Sequence, residues 1–162
     1  IKANATNVYG GIEYQNFNKD SSVQGSNLLA GYRFDSSSIE MNYFFSDSTN
    51  TNIQNVSLNY LYDFYHYDRF SLFANLGINY SVSESEVQNA EEIILASKPE
   101  PDSTNITYVS VPTTYTVSEK EIYPTIGTGA QFKLNNQLSL RATASYNLDD
   151  VYTLRTGLII NF

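Results

Sequence analysis

The sequence predicts an all-β chain: an eight-stranded antiparallel up-and-down barrel, its apolar face turned outward as in a transmembrane β-barrel. Three observations predict it. Fourteen Tyr and nine Phe among 162 residues, with abundant Asn, Ser and Thr, favour strands and turns over helices. Eight segments alternate apolar and polar residues with period two, separated by clusters of Asn, Ser, Asp and Gly. Within those segments Glu13, Arg33, Glu40, Asp63, Lys133, Arg141 and Arg155 all fall on the polar parity, which random facing would produce about once in a hundred trials.

The elements follow in chain order. The first run (8–17) puts Glu13 on the polar parity and Tyr14 near the upper rim. The second (26–34) carries Arg33 and ends at Phe34 near the lower rim; the third (38–46) carries Glu40 and rises to Tyr43 and Phe45. The fourth (54–64) descends to Tyr62, Asp63 and Phe64. The fifth (70–82) sets Leu72, Ala74, Leu76, Ile78 and Tyr80 against Ser71, Phe73, Asn75, Gly77 and Asn79. The sixth (122–134) holds Lys133, with Pro124 placed at the upper rim, where a missing ladder donor matters least. The seventh (138–147) sets Leu138, Leu140, Ala142, Ala144 and Tyr146 against Ser139, Arg141, Thr143, Ser145 and Asn147. The eighth (151–162) sets Tyr152, Leu154, Thr156, Leu158, Ile160 and Phe162 against Arg155 and its neighbours.

Size chooses which face is inside. The apolar face is rich in aromatics, whereas the polar face holds Gly11, Gly31, Gly77, Gly127, Gly129 and Gly157, compact enough for a crowded eight-stranded interior. Aromatics also gather into two belts, Tyr14, Tyr43, Phe45, Tyr80, Tyr146 and Tyr152 above and Phe34, Tyr62, Phe64, Phe70, Phe132 and Phe162 below. Strand steps of roughly 3.3 Å, tilted near 45°, make the span from Tyr152 to Phe162 about 23 Å tall, the height of such a barrel's apolar band. Hydropathy windows miss this, because the longest apolar run is only Ile93 to Ala96.

Composition excludes much chemistry. Without Cys there is no disulfide scaffold, thiolate metal site or Cys nucleophile, and one His leaves little for a histidine metal site or a Ser-His hydrolase. A net charge of −8 argues against nucleic-acid binding. No catalytic residue, metal or cofactor is expected. His66, between Tyr65 and Tyr67, reads as an interfacial residue of a turn over 65–69, and Gly127-Thr128-Gly129 as small inward residues, since no strand-to-helix setting surrounds them. The chain opens at Ile1 without a basic and apolar signal segment, so an exported form would have lost its signal already.

The whole chain, 1–162, reads as a single barrel domain with short connections at 35–37, 65–69 and 135–137 and longer ones at 18–25, 47–53 and 83–121. Inward Glu13, Arg33, Glu40, Arg141 and Arg155 are expected to form an ion-pair plug, with Arg33 opposite Glu40 if Phe34 pairs with Ile39. The third long connection holds eight acids and two Lys, which concentrates −6 of the net charge there. Residues 105–111 alternate like a strand, continued after Pro112 by 113–117, so a protruding hairpin is expected with Pro99 and Pro101 near its tip. Glu91 to Ala96 as a helical turn is the alternative. Tyr108, Val109, Val111 and Tyr115 are the candidate partner-binding residues, acting through strand addition; no spaced ligand set for a divalent cation is visible there.

The stretches NVYGGIEY (7–14), LLAGYRF (28–34), SLFANLGINYS (71–81), YPTIGTGAQFKLNNQLSLRATASYNL (123–148) and LRTGLIINF (154–162) resemble the small outer-membrane barrels of the OmpA-like and OmpX type. The resemblance covers all but 83–121. It implies a monomer in the outer membrane of a Gram-negative-type bacterium, in contact with lipopolysaccharide, with loops exposed at the cell surface. It also implies insertion by the barrel-assembly machinery, with Phe162 as part of the assembly signal. The function it implies is adhesion or host-protein interaction, with a structural or small-solute porin as the alternative and a lipid-modifying enzyme behind it. A soluble lipocalin-type barrel is the remaining rival.

Overall fold

The computed structural model describes residues 7–18, 22–46, 51–95, 107–148 and 150–162, with the side chains at 51, 87–95 and 107–114 outside that description. Eight strands are present: β1 (Val8–Asn18), β2 (Ser22–Phe34), β3 (Ser37–Ser46), β4 (Thr51–Tyr67), β5 (Phe70–Leu95), β6 (Thr107–Lys133), β7 (Leu138–Asn147) and β8 (Tyr152–Asn161). Each pairs antiparallel with its chain neighbours, and β8 returns to β1 to close the barrel. Closure removes sheet edges from the spanning region, which a membrane requires because hydrocarbon offers backbone groups no partner.

Period-two alternation sets the two faces, as the sequence predicts. Ile12, Leu28, Met41, Leu58, Leu76, Ile126, Leu140 and Leu158 are exposed on the outside, while Glu13, Asn27, Glu40, Asn59, Asn75 and Arg141 are buried within. A water-soluble barrel or sandwich would bury the first set and expose the second. This is a transmembrane barrel that presents its apolar face to lipid.

The interior differs from a uniformly polar lumen. Tyr9, Phe44 and Phe73 are almost completely buried inside it. They fit because small residues stand opposite: a Cβ on Gly31 would come within 2.7 Å of the Tyr9 ring, and one on Gly129 within 2.8 Å of the Phe73 ring. The glycine-rich parity therefore accommodates bulky rings as well as crowded polar groups.

Three expectations about connections need correction. The turn after β2 is only Asp35 and Ser36, with Asp35 at φ 51°, so Phe34 pairs with Ser37 rather than Ile39. Asp tolerates this left-handed conformation, and the tighter turn shifts the register by two. Arg33 then faces Ser38, and Glu40 faces Gly31. The expected loop over 18–25 shrinks to 19–21, because Ser22 to Gly25 continue pairing with β1. Finally, β4 runs on to Tyr67, with Asp68 at φ 50° in the turn, so His66 lies on a strand. A bulge at Phe64 absorbs one residue between the Asp63–Phe73 and Tyr65–Leu72 pairs, so Phe64 and Tyr65 are both exposed.

The longest elements are β5 and β6, paired at every position from Phe70–Phe132 to Leu95–Thr107. They outrun both neighbours, since β4 leaves β5 at Ser85 and β7 leaves β6 at Thr125. Pro124 lies one residue above the β6–β7 ladder, while on its other side it pairs with Ile78 in the β5–β6 ladder, which continues beyond the expected rim. Residues 91–95 are strand, which replaces the helical turn considered at Glu91 to Ala96; Ala96, Pro99 and Pro101 lie outside the described residues.

Candidate functional site: the lumen and the projecting hairpin

The lumen is crossed by two tiers of charge. In the lower tier Arg141 of β7 donates from Nη1 to Glu40 Oε2 of β3, half-way round the barrel. Tyr9 Oη donates to the same carboxylate oxygen at 3.0 Å, and Arg141 Nη2 donates to Gln131 Oε1 at 3.3 Å. The Arg141 guanidinium also lies over the Tyr9 and Phe73 rings, at 5.5 and 5.4 Å from their centroids. A fixed amide acceptor, an ionised partner and two aromatic faces compensate its loss of water.

The upper tier is looser. Arg155 Nη1 stands 3.9 Å from Glu13 Oε2, an oxygen that also accepts from Asn27 Nδ2 at 2.9 Å. From there carboxamides and hydroxyls continue across the wall, Asn27 donating to Asn42 and both Asn42 and Asn59 donating to Ser57. Over these groups opens a vestibule lined by Gln15, Asn55, Asn79, Asn147 and Arg155 among others. Phe17 and Phe44 meet there edge to face at 4.7 Å.

The five residues expected as a plug thus resolve into two pairs and one separate cation. Arg33 and Glu40 do not pair. Arg33 instead stacks over Tyr9 at 5.5 Å from the ring centroid, and its buried Nε has no hydrogen-bond partner among the described residues. Both pairs join strands distant in sequence or adjacent only through closure, so near-neighbour spacing could not reveal them. Sequence reasoning also missed Tyr9, Gln131 and Phe73 as parts of the lower tier, although their parity placed them inside.

The second candidate site is the hairpin above Ser85 and Thr125. Its β5 segment continues from Glu86 to Leu95, and its β6 segment from Thr107 to Pro124. Ten strand residues rise up to about 33 Å. Among the expected binding residues, Tyr115 is exposed, while Tyr108, Val109 and Val111 have described backbone in β6 but undescribed side chains. His66, at the opposite end of the barrel, has Ser71 of β5 as its register partner. Phe162 is exposed just past β8, its N–H donating to the Val8 carbonyl at 3.1 Å.

The class these features define is the small eight-stranded transmembrane β-barrel. Among solved structures, the N-terminal barrel domain of Pseudomonas aeruginosa OprF matches over 98% of this chain and 99% of its own, at TM-score 0.62 and 14% identity. Neisserial surface protein A matches over 96% of both chains at TM-score 0.60 and 12% identity. Ail, the attachment invasion locus protein of Yersinia pestis, matches over 96% of both at TM-score 0.53 and 16% identity. No protein-family model and no curated protein matches the chain.

Proposed function

We propose that this chain is a bacterial outer-membrane protein whose external loops act in adhesion or partner binding, above a lumen closed by ion pairs. The observation that carries this reading is the β5–β6 hairpin, which outruns β4 and β7 and presents strand edges that no strand among the described residues covers. An exposed edge is a template for strand addition, in which backbone hydrogen bonds supply affinity. Ail, named for attachment and invasion, shares the fold. The barrel supplies the anchor, lipopolysaccharide its outer-leaflet surroundings, and the barrel-assembly machinery its insertion, with Phe162 as part of the signal. The working state is a monomer, one domain over 1–162, without catalytic activity.

Ail has also been solved with sucrose octasulfate, a heparin analogue. That polyanion does not transfer to this hairpin, where acids outnumber bases eight to two over 83–121. The test is deletion of residues 88–116. The truncated barrel should still migrate differently in detergent before and after boiling, while cells displaying it lose attachment to a surface that the full chain binds. Attachment unchanged by the deletion would refute the reading.

A further inference from the structure

The upper tier of the lumen leaves one guanidinium poorly matched. Arg155 is only 7% exposed, yet its contact with Glu13 spans 3.9 Å, beyond hydrogen-bond reach. Its Nε is buried without a hydrogen-bond partner among the described residues. The register partners on either side are neutral, Gln15 on β1 and Thr143 on β7. Two residues higher on the same ladder Ser145 faces Thr153, and the Ser145 Oγ is likewise buried without a partner among the described residues. Arg155 and Ser145 both line the vestibule, whose other described lining residues are carboxamides, hydroxyls and rings, with no carboxylate among them. Two unmatched donors thus share one polar cavity. Buried polar groups are costly without a partner, and a buried charge more so.

Charge and size narrow the occupant. Three inward Arg (Arg33, Arg141, Arg155) stand against two inward Glu (Glu13, Glu40), and the half-buried Asp63 and Lys133 of the same parity offset each other. The described interior therefore carries one positive charge in excess, which a water cannot balance and an anion can. The cavity is about 20 Å³, the room of one water-sized group, so a halide fits and a phosphate or a sugar acid does not. Arg33 also has an unmatched Nε, but it does not line this cavity. The hairpin acids stand far off. Glu121 lies four residues above Thr125, whose partner Asn147 lies four residues above the Thr143–Arg155 pair. Those strand steps add up to roughly 26 Å, more than two Debye lengths at physiological salt.

We propose that the floor of the vestibule is a binding site for one halide-sized monovalent anion such as chloride, held by the Arg155 guanidinium and the Ser145 hydroxyl. Arg155 donates from Nε and supplies the charge, and Ser145 donates from Oγ at the side. Glu13 competes with the anion for the same guanidinium, while its Oε2 accepts from Asn27 at 2.9 Å. The carboxylate therefore opposes the site rather than builds it. Because the anion binds only where β1, β7 and β8 are assembled, its occupancy stabilises the folded barrel in proportion to its concentration. This site is independent of whatever the hairpin binds.

The test measures broadening of the chloride NMR line by the full chain folded in uncharged detergent, at ionic strength held constant with gluconate, an anion too large for the cavity. Broadening should saturate with chloride and be reversed by bromide. Arg155→Gln should weaken binding at least about tenfold and Ser145→Ala about threefold, as expected for a charged and a neutral hydrogen bond. Glu13→Gln should tighten it several-fold, and Arg33→Gln should leave it unchanged. Migration of the unboiled samples reports that each variant is folded. Exchange of gluconate for chloride should also raise the urea midpoint of the wild type, and should not raise that of Arg155→Gln. Broadening that does not saturate would overturn the proposal, as would equal binding by the wild type and Arg155→Gln, or binding lost in Arg33→Gln instead. If Arg155→Gln fails to fold, the two milder variants decide: weaker binding by Ser145→Ala with tighter binding by Glu13→Gln upholds the site, and any other pairing refutes it.

Discussion

Arg141 shows how a residue's role in a barrel depends on what lies across the axis. Its parity announces that it points inward, but its partners come from β1, β3, β5 and β6. Removing one member of such a pair leaves a buried charge uncompensated. Glu40→Ala should therefore destabilise the folded barrel by about 3–5 kcal/mol in urea titrations from detergent or vesicles, more than Glu13→Ala, whose contact with Arg155 spans 3.9 Å. Replacing both partners, Glu40→Leu with Arg141→Met, should recover most of that loss, since the desolvation penalty disappears with the charges. Recovery would identify the pair as a device for closing the lumen rather than the source of the barrel's stability. The inward pointing of Glu40 and Arg141 was legible in the sequence; their partnership was not, because it depends on the shear between distant strands.

Individual strands carry the membrane assignment. Each spanning strand presents an outer row in which charge is absent through the apolar band, from Ile12 on β1 to Leu158 and Ile160 on β8. Leu158→Arg near mid-height should cost about 2–4 kcal/mol in refolding titrations into lipid vesicles, whereas Tyr152→Arg, at the upper rim, should cost less. The same strands show where reading along the chain falls short. Asp35, Asp68 and Asp150 all take positive φ, at 51°, 50° and 61°, and so permit turns tighter than composition alone specified. The bulge at Phe64 had no sequence signal, since neither Gly nor Pro marks it, and pairing with the fixed frame of β5 is what singles out one residue as extra. In contrast, the protruding hairpin was legible from the alternation over 105–117, although the depth of its pairing was not.

At the scale of the whole molecule, a closed eight-stranded wall and two internal tiers decide between anchor and pore. The vestibule reaches Arg155, and beneath it the Arg141–Glu40 pair, Tyr9 and Phe73 occupy the axis. Planar-bilayer recordings of the wild-type chain should show no large, stable conductance, and Glu40→Ala with Arg141→Ala should raise the frequency of openings. Large steady currents from the wild type would favour the porin alternative. The barrel's rigidity also separates anchor from hairpin, which is why removal of 88–116 is expected to leave the spanning ladders intact.

By itself the sequence determined the class of fold, the number of strands, the residues facing lipid and the charges turned inward. It could do so because strand alternation is a local property of the backbone, repeated every two residues wherever the chain is extended. The tertiary structure alone decided which inward charges meet, how rings and glycines share the lumen, and how far β5 and β6 rise beyond their neighbours. Those outcomes follow from turn length, strand tilt and closure, which bring together residues as far apart as Glu40 and Arg141 and are fixed only when all eight strands are in register.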